Sequence, residues 1–348
     1  MADDLTMKAV LLRDVDDLEL VDLPVTEPGV SDVVVQVKAC GLCATDVNMW
    51  LGTNTEGSFP FIPGHEWSGE IVEVGRDVDE FSIGDRVVGE VAIACNACAN
   101  CNDGMPAETC TNARFYGFAP ETPGCMAEYH TTPASRLLKI PDNVSNEAAA
   151  LLEPVWVGYA SIWVFGGGVR PDDSVVILGC GPIGLLAMLS AKAVGATVIA
   201  ADPQPYRRQQ AISLGADVAI DPSTGGLEDE VMQHTGGRGA SLVLECSGSD
   251  SARSAAVDIV ANKGRIVLVG INAKQNVTLD LNKVIEKGIA IVGSQGDSFY
   301  FARTLTFLSR QLVDFTQVIS HRFSLDQVTD AFKLGARRGE SMKIMLIP

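Results

Sequence analysis

The spacing of hydrophobic and polar positions differs between the first and the middle part of the chain. Up to about Pro154, short apolar runs alternate with polar positions and are separated by glycine and proline, as at residues 33–39, 69–74 and 85–91. Alternation with a period of two predicts half-buried strands. We therefore expect a β-rich first domain, interrupted by a polar, loop-like insert at residues 95–110.

From about Ser174 onward, buried-strand runs alternate with helical segments. The predicted helices occupy the segment that ends at Val194 and residues 206–214, 227–234 and 252–261. The predicted strands lie at residues 175–178, 197–201, 218–220, 242–246, 266–269 and 289–293. Alternating strands and helices form parallel sheets, and six strands match a doubly wound dinucleotide-binding fold. The fold class predicted is therefore α/β, with a Rossmann-type parallel sheet beside the β-rich domain.

The C-terminal segment continues beyond this sheet. Its pattern predicts a helix at residues 301–310, a strand at 319–323, a helix at 325–334 and a strand at 342–346. A completed six-stranded sheet has no position for these strands. We therefore expect the segment to return and to pack on the first domain.

A glycine-rich turn follows the first strand of the predicted parallel sheet. Gly179, Gly181 and Gly184 form the sequence GCGPIG together with Pro182 and Ile183. In such a turn the first glycine permits a tight bend, the second lets the backbone approach a pyrophosphate, and the third lets the helix pack closely. The helix N-terminus then offers N–H groups to phosphate. We assign these five residues to a dinucleotide site, the alternative being a tight turn in an unrelated α/β protein.

Asp202 ends the second strand of the predicted sheet. A carboxylate there accepts hydrogen bonds from ribose hydroxyls and repels a 2′-phosphate, so the sequence favours NAD over NADP. Arg207 is included among the cofactor-binding candidates. Together with Arg208 it keeps NADP in question, although we expect both arginines on the solvent face of the following helix.

Four cysteines lie close together in the polar insert. Cys95, Cys98, Cys101 and Cys110 have the spacing C-x2-C-x2-C-x8-C. Four thiolates complete the tetrahedral shell of a structural zinc ion, and the polar segment has no apolar period that would place them in a core. An iron–sulfur cluster, which also takes four cysteine thiolates, is the alternative.

Further candidate metal ligands lie in three separate segments. Cys43 and the pair His65 and Glu66 lie at turns, and Glu153 lies in the apolar run AAALLEPVWVG. A buried carboxylate is costly unless it meets a cation or a donor. Taken singly, Cys43 fits a core residue, His65 a hydrogen-bonded turn residue and Glu66 a surface charge. Their combination with a dinucleotide motif favours a catalytic zinc site with one open position.

Several motifs together resemble one enzyme family. The segments GLCATD, PGHEWSGEIVEVG, the four-cysteine insert, LLEP and VVILGCGPIG occur in the order found in the zinc-dependent medium-chain alcohol and polyol dehydrogenases. The resemblance implies a GroES-like catalytic domain from residues 1–156 and 296–348, with a structural-zinc loop at 95–110, and a Rossmann NAD-binding domain at 157–295. It also implies two Zn²⁺ ions per chain, one catalytic and one structural, and a homo-oligomer, either a dimer or a tetramer.

The resemblance also implies roles for the candidate ligands. Cys43 and His65 match metal ligands, Glu66 matches a ligand of the sorbitol-dehydrogenase-like members, and Glu153 matches the third ligand position. A glutamate at that last position is typical of the polyol, butanediol and threonine branches. The sequence leaves open which of the two carboxylates binds the metal directly.

Other positions match the expected proton path and substrate pocket. Thr45 matches the hydroxyl that starts the proton relay, and Asp46 matches a carboxylate that supports the ligands. Asn48 replaces the histidine that passes the proton to solvent in many members, and asparagine does not titrate. Trp50 and Phe118 match positions of the pocket wall, and both also fit core residues. The last gap in the cysteine insert is one residue longer than usual, which predicts a bulged loop before Cys110.

Composition limits the partners. The chain has 348 residues, of which 47% are hydrophobic, and a net charge of −18. This charge repels nucleic acid and anionic membranes, so we expect neither as a partner. The apolar stretch at residues 174–201 is broken by glycines, Pro182 and Lys192, which argues against a membrane span. Nine cysteines without a signal peptide argue against a secreted disulfide scaffold, and we expect a cytoplasmic protein.

The function expected from these observations is reversible oxidation of a secondary alcohol, with hydride transfer to NAD. The substrate expected is a small alcohol, a polyol or a vicinal diol. Amino alcohols such as threonine, and cyclitols, are the alternatives within the same chemistry. A catalytically retired binding or structural relative, and a zinc-free quinone or enone reductase, are alternatives from other classes. The retained candidate ligands and the cysteine insert argue against both.

Overall fold

The computed structural model describes residues 5–271, 276–296, 298–337 and 339–348. The chain separates into two compact units. The first comprises Met1–Glu153, Asp297–Gln311 and Ile319–Pro348, and the second comprises Pro154–Gly296 and Leu312–Val318. Among the described residues, no helix is long and apolar enough to cross a membrane.

The N-terminal stretch is made mostly of strands. The strands are β1 Thr6–Asp14, β2 Asp17–Pro24, β3 Asp32–Leu42, β4 Glu66–Val74, β5 Arg86–Gly89, β6 Ala92–Ile93, β7 Arg114–Phe115, β8 Tyr129–Pro133 and β9 Leu137–Lys139. The helices are α1 Ala44–Trp50, α2 Ala99–Asn102, α3 Asn146–Ala150 and α4 Leu152–Ala160. The strands predicted at residues 33–39, 69–74 and 85–91 correspond to β3, β4 and β5.

The middle stretch alternates strands with helices, as predicted. The strands are β10 Ser174–Leu178, β11 Thr197–Ala201, β12 Val218–Ile220, β13 Ala240–Glu245, β14 Val260–Leu268 and β15 Ala290–Gly293. The helices are α5 Pro182–Lys192, α6 Pro205–Ser213, α7 Leu227–His234, α8 Asp250–Ile259 and α9 Leu281–Lys287. The strands form one parallel sheet in the order β12-β11-β10-β13-β14-β15, so strand order reverses between β10 and β13.

One strand of this sheet differs from its prediction. β14 begins at Val260, well before the predicted start at residue 266. Val260 pairs with Ala240 and Arg265 pairs with Leu242, with a register shift between them. The intervening Lys263 has a φ of 60°, a left-handed conformation that interrupts the pleat. Because the residues around this irregularity are polar, the hydrophobic pattern did not indicate the first part of the strand.

The C-terminal stretch completes the first unit, as predicted. It consists of α10 Phe301–Ser309, β16 Ile319–Ser324, α11 Val328–Ala336 and β17 Lys343–Ile347. β17 pairs with β3 antiparallel and with β16 parallel, in a sheet whose order is β16-β17-β3-β4-β5-β9, with β8 also paired to β3. The predicted helix 325–334 begins instead as a 3-10 turn at Leu325–Gln327. β3 therefore lies inside this sheet, between β17 from the C-terminal stretch and β4 from the N-terminal stretch.

Candidate functional site

Cys43, His65 and Glu66 converge at one end of β3 and β4. Cys43 is the residue before α1, directly after β3, and Glu66 is the first residue of β4. Gly41 pairs with Glu66 across the antiparallel ladder, which brings the two segments side by side. One ligand atom from each of the three residues lies within 4.8 Å of the others. A thiol, an imidazole and a carboxylate at this spacing are a donor set that suits zinc.

Asp46 fixes the two loops that carry these donors. The side chain is fully buried, and its Oδ2 accepts a hydrogen bond from the Cys43 N–H at 3.0 Å. Its Oδ1 accepts from the Gly64 N–H at 3.2 Å and lies 3.7 Å from His65 Nδ1. Burial raises the pKa of Asp46, although His65 and these hydrogen bonds oppose the shift. The carboxylate therefore restrains the two segments that carry Cys43 and His65.

His65 has capacity left for a metal or a proton. Its ring is buried, and Nδ1 makes no hydrogen bond within the described part of the chain. Burial opposes a charge on the ring, yet Asp46 and the Cys43 thiol outweigh burial and raise the pKa of His65. The Phe118 ring lies 5.5 Å from the imidazole, centroid to centroid. The residues present therefore fit a bound cation, and Phe118 lies beside them as the pocket interpretation expects.

The remaining candidates have different surroundings. Glu153 lies in the first turn of α4 and outside the converging group, although it is close enough to interact electrostatically with His65. Burial raises the pKa of Glu153 to about 7. Thr45 is partly buried in α1, and Asn48 is exposed. Trp50 is buried, with its ring edge-on to Phe332 at 5.8 Å, which favours the core interpretation for this residue.

The four cysteines of the insert form a compact cluster. The Cys98 Sγ lies 3.4 Å from the Cys101 Sγ and 3.8 Å from the Cys110 Sγ, and the Cys95 and Cys101 sulfurs are 4.0 Å apart. Four sulfurs at about 2.3 Å from a tetrahedral zinc are about 3.8 Å apart. Cys110 follows a 3-10 turn at Ala107–Thr109, and the longer spacing before it leaves it in the cluster. The geometry therefore fits a four-thiolate metal site.

Backbone donors around the cluster favour thiolates. The N–H groups of Cys95 and Asn112 donate to Cys110 Sγ at 3.3 and 3.4 Å. Backbone hydrogen bonds from Cys101 and Thr111 lower the pKa of Cys98 to about 5. Burial and the neighbouring thiols raise the pKa of Cys101 to about 11. Because metal ligands must be deprotonated, the hydrogen bonds prepare Cys98 for a cation, while Cys101 needs the cation itself to become a thiolate.

The glycine turn of the second unit has the close approaches predicted for it. Gly179 has a φ of +97°, and a Cβ on it would lie 2.8 Å from the Ser247 backbone nitrogen. A Cβ on Gly184 would lie 2.0 Å from the Gly179 carbonyl oxygen, so the helix packs against the turn. Gly181 precedes α5, in which Pro182 and Ile183 are the first residues, and its Cβ position meets nothing nearer than an Arg207 nitrogen at 4.0 Å. The turn therefore leaves room beside Gly181.

Asp202 lies beside this turn and is almost completely buried. Its Oδ2 accepts from the Cys180 N–H at 2.9 Å, and its Oδ1 accepts from the Gln204 N–H at 2.8 Å. Arg207 Nη1 lies 3.6 Å from Oδ2. Arg208 donates to the Asp202 carbonyl oxygen at 2.8 Å and pairs with Asp221 at 3.0 Å. The expectation that both arginines lie on the solvent face is therefore wrong, because each is drawn inward by a carboxylate.

Two family models match the sequence. The alcohol dehydrogenase GroES-like domain matches residues 29–142, and the zinc-binding dehydrogenase domain matches residues 182–310. An L-threonine 3-dehydrogenase of Enterobacter sp. is 33% identical, over 98% of this chain and 99% of the relative. The chain belongs to the zinc-dependent medium-chain alcohol dehydrogenase family. As a member of this family it is an oxidoreductase that acts on CH–OH donors, and the predicted family resemblance and fold class are confirmed.

Two further relatives of this dehydrogenase bear on its chemistry. A sorbitol dehydrogenase of Bacillus subtilis is 30% identical, over 98% of this chain and 97% of the relative. The crystal structure of a putative zinc-binding dehydrogenase from Sinorhizobium meliloti, bound to NADP, superposes with a TM-score of 0.90 at 29% identity. The superposition covers 99% of this chain and 100% of that chain. A sorbitol dehydrogenase and an NADP-bound zinc-binding dehydrogenase therefore match this chain over 98% and 99% of its length.

The sequence interpretation missed Lys343, which contacts the candidate ligand Glu66 of the dehydrogenase. Lys343 is buried on β17, and its Nζ donates to Glu66 Oε1 at 2.7 Å and to the Leu42 carbonyl oxygen at 3.2 Å. The same ammonium lies 2.5 Å from Glu66 Oε2. The ammonium therefore pairs with both carboxylate oxygens of Glu66 and offsets its charge. A lysine within the apolar run MKIMLI was the available signal.

Proposed function

We propose that this dehydrogenase oxidises a secondary alcohol of a polyol or vicinal diol to the ketone, with NAD as the hydride acceptor. The observation that supports the proposal is the convergence of Cys43, His65 and Glu66, whose ligand atoms lie within 4.8 Å of one another. A thiolate, an imidazole and a carboxylate leave a fourth tetrahedral position for substrate. The sorbitol dehydrogenase among the relatives supports the substrate class.

Each residue of the site has its own proposed role in the reaction. A bound zinc ion supplies a Lewis acid that lowers the pKa of the substrate hydroxyl. The ligand atoms of Cys43, His65 and Glu66 lie within 4.8 Å of one another, so we assign Glu66 as the direct carboxylate ligand. Glu153, which interacts electrostatically with His65, is the second carboxylate of the site. The Thr45 hydroxyl would relay the substrate proton, accepting it while passing its own proton on to solvent. Asp46 keeps Cys43 and His65 in place through its hydrogen bonds to the N–H groups of Cys43 and Gly64.

The cofactor assignment rests on the glycine turn and Asp202. The turn presents the α5 N-terminus to a pyrophosphate, and the Asp202 carboxylate repels a 2′-phosphate, which supports NAD. Arg207, at 3.6 Å from that carboxylate, offsets part of the repulsion and contributes to the cofactor site. The NADP-bound relative makes the ratio of rates with NAD and NADP the measurement that tests this assignment.

The same proposal covers the organisation of the chain. The catalytic domain comprises residues 1–156 and 296–348 and the NAD-binding domain residues 157–295. The cysteine cluster holds a second, structural zinc ion, and the enzyme works as a cytoplasmic homo-oligomer, a dimer or a tetramer. The sulfur separations of 3.4 to 4.0 Å support the structural zinc.

An amino alcohol is the second candidate substrate. The threonine dehydrogenase relative is 33% identical to this chain, compared with 30% for the sorbitol dehydrogenase. Identity this similar does not separate the two substrates, because a few pocket residues decide between a hydroxyl and an ammonium. Threonine therefore belongs in the same substrate panel, together with cyclitols.

A substrate screen tests the proposed function. We expect NAD reduction with sorbitol, xylitol or 2,3-butanediol at a kcat/KM at least tenfold above that with L-threonine or inositol. Each substrate is measured with NAD and with NADP, and zinc is determined by elemental analysis of the same preparation. Faster turnover of threonine replaces the polyol assignment by the amino-alcohol one. Absence of turnover with the whole panel favours a retired relative.

The variant Cys43→Ser tests the assignment of the catalytic metal. We expect loss of turnover by at least a hundredfold and loss of one zinc ion per chain, because a hydroxyl is a poor replacement for a thiolate ligand. NADH affinity should remain unchanged, and Cys125→Ala serves as the matched control. Undiminished activity in Cys43→Ser contradicts the assignment.

A further inference from the structure

Glu245 is a buried carboxylate at the point where strand order reverses in the parallel sheet. It is the last residue of β13, its exposed fraction is 0%, and β13 pairs directly with β10. Ligands of open α/β sheets bind outside the carboxyl ends of the strands at this reversal. A buried carboxylate is expensive to desolvate unless several donors meet it. Its presence here therefore requires an explanation.

One oxygen of Glu245 shapes the turn that follows β13. Its Oε1 accepts hydrogen bonds from the Ser247 N–H at 2.9 Å, the Ser247 hydroxyl at 2.6 Å and the Gly248 N–H at 2.9 Å. Gly248 has a φ of +70°, and a Cβ there would lie 2.5 Å from the Ile271 carbonyl oxygen. The carboxylate therefore closes a tight turn from inside.

The other oxygen connects this turn to the one that follows β14. Arg253 Nε lies 3.5 Å from Glu245 Oε2, and Arg253 Nη2 donates to the Gly270 carbonyl oxygen at 2.8 Å. The Gly270 N–H in turn donates to the Glu245 carbonyl oxygen at 2.8 Å. A Cβ on Gly270 would lie 2.2 Å from the Gly248 nitrogen, so the two turns are in direct contact. Glu245 and Arg253 therefore hold both turns as one unit.

This unit packs directly against the glycine turn. The Cys246 N–H donates to the Leu178 carbonyl oxygen at 2.8 Å. The Ser247 Cβ lies 2.8 Å from the position a Cβ would take on Gly179. A displacement of residues 246–248 therefore moves one wall of the crevice that begins at Gly179.

We propose that Glu245, acting with Arg253, is a positioning residue for the nicotinamide dinucleotide, a role that rests on the proposed function. The pair holds the turns after β13 and β14 against the glycine turn, so that the crevice already has the shape of the cofactor before it binds. Pre-formed sites bind more tightly because less ordering remains to be done on binding. Neither residue needs to touch the cofactor.

The variant Glu245→Gln tests this role by titration of NADH and NADPH, followed by nucleotide fluorescence in the intact protein. Glutamine keeps one acceptor oxygen but turns an NH₂ group toward Arg253, so the link between the turns breaks. We expect Kd for the preferred cofactor to rise about tenfold, because a buried charged group loses its ion-pair partner at 3.5 Å. Zinc content should remain that of the wild type, and KM for the alcohol at saturating cofactor should not change.

Thr235→Val is the matched control, because it breaks buried hydrogen bonds at the other end of the same strand. The Thr235 hydroxyl donates to the Val231 carbonyl oxygen at 2.7 Å and accepts from the Gly239 N–H at 3.0 Å, just before β13. We expect this variant to lower the melting temperature and to leave cofactor Kd unchanged. An equal rise of Kd in both variants assigns Glu245 a purely structural role and overturns the proposal.

A double-mutant cycle keeps the proposal testable if Glu245→Gln folds poorly. Arg253→Met alone should weaken cofactor binding to a similar extent, and the double variant should be no weaker than either single one, because the pair acts as a unit. Additive losses, or an unchanged Kd in Arg253→Met, overturn the proposal. A wild-type chain that binds neither NADH nor NADPH overturns the proposed function and this role with it.

Discussion

At the scale of single residues, buried ionisable groups differ in how many partners they meet. Asp46 accepts two backbone hydrogen bonds, and Glu66 meets the ammonium of Lys343. His130 has aromatic neighbours instead, since its ring lies 5.2 Å from those of Trp67 and Tyr116 and its Nε2 makes no hydrogen bond within the described residues. Burial lowers the pKa of His130 from 6.5 to about 4. This ring is therefore a neutral member of the core.

We expect His130 to make the dehydrogenase sensitive to mild acid. Its pKa in the folded state lies below that in the unfolded state, so the unfolded chain binds the proton first as the pH falls. The contribution of neutral His130 to the free energy of unfolding is complete above pH 6.5. It is lost as the pH falls toward 4, a difference of about 3 kcal/mol. Urea unfolding at several pH values measures how much of the free energy of unfolding is lost between pH 6.5 and pH 4. In the variant His130→Phe this loss should be smaller by about 3 kcal/mol. Parallel curves for the wild type and the variant contradict this prediction.

The single residues that the sequence did not reveal are buried charged groups whose partners are visible only in the fold. Cys43, His65 and Glu66 were identified because motifs surround them. Glu245 lies in an apolar run, LVLECSG, and this signal is the same one that identified Glu153. The sequence shows that such a carboxylate needs a partner, but only the fold shows which donors reach it. Lys343 was missed for the same reason, since β17 pairs with β3 from the far end of the chain.

At the scale of elements, the cysteine insert depends on its cluster more than on secondary structure. Its regular parts are one short helix, α2, and a 3-10 turn at Ala107–Thr109. Two hydrogen bonds connect this turn to Ser298. The Ala107 N–H donates to the Ser298 hydroxyl at 3.3 Å, and the Glu108 carboxylate accepts from the Ser298 N–H at 3.1 Å. The insert therefore holds the segment at which the chain re-enters the first unit.

Removal of one sulfur should release this insert while the rest of the fold remains. For Cys98→Ser we expect zinc content to fall from two ions to one per chain, because a structural site needs all four thiolates. Hydrogen exchange should then increase about tenfold or more at residues 95–110 and at 298–301, but not in β13. Elemental analysis and exchange mass spectrometry measure both effects, with Cys125→Ala as control. Retention of both ions contradicts the assignment of the cluster.

The elements themselves were largely predictable, because strands buried on both faces and amphipathic helices leave clear patterns. β12 and α7 have the predicted limits of residues 218–220 and 227–234. The predictions failed where the backbone departs from a regular period. The irregularity around Lys263 concealed the start of β14, and a 3-10 turn replaced the first turn of a predicted helix before α11. Such departures follow from local φ values and from pairing with distant strands. The periodicity of hydrophobic residues carries no information about either.

At the scale of the whole molecule, the net charge of −18 is the dominant long-range term. Mutual repulsion of like charges opposes the compact state, and salt screens this repulsion over about 10 Å at 0.1 M. The surface ion pairs, such as Lys8 with Asp326, contribute little and weaken with salt. Screening of the net repulsion therefore outweighs the loss of these pairs.

We therefore expect stability to rise with ionic strength. An increase from about 0.05 M to about 1 M NaCl should raise the melting temperature by a few degrees, as screening removes repulsion between the 44 acidic residues. Differential scanning calorimetry over a salt series measures the effect. Potassium chloride, as the matched control, should give the same rise, because screening depends on charge rather than on the identity of the ion. A constant or falling melting temperature contradicts this expectation.

The position of β17 has a consequence for the charge balance of the ligand group. Lys343 lies 277 residues after Glu66 in the chain and reaches it because β17 joins the sheet beside β3. The counter-charge of Glu66 therefore depends on a pairing between two distant segments. A partly folded chain in which β17 has not yet paired with β3 carries Cys43, His65 and Glu66 without this ammonium.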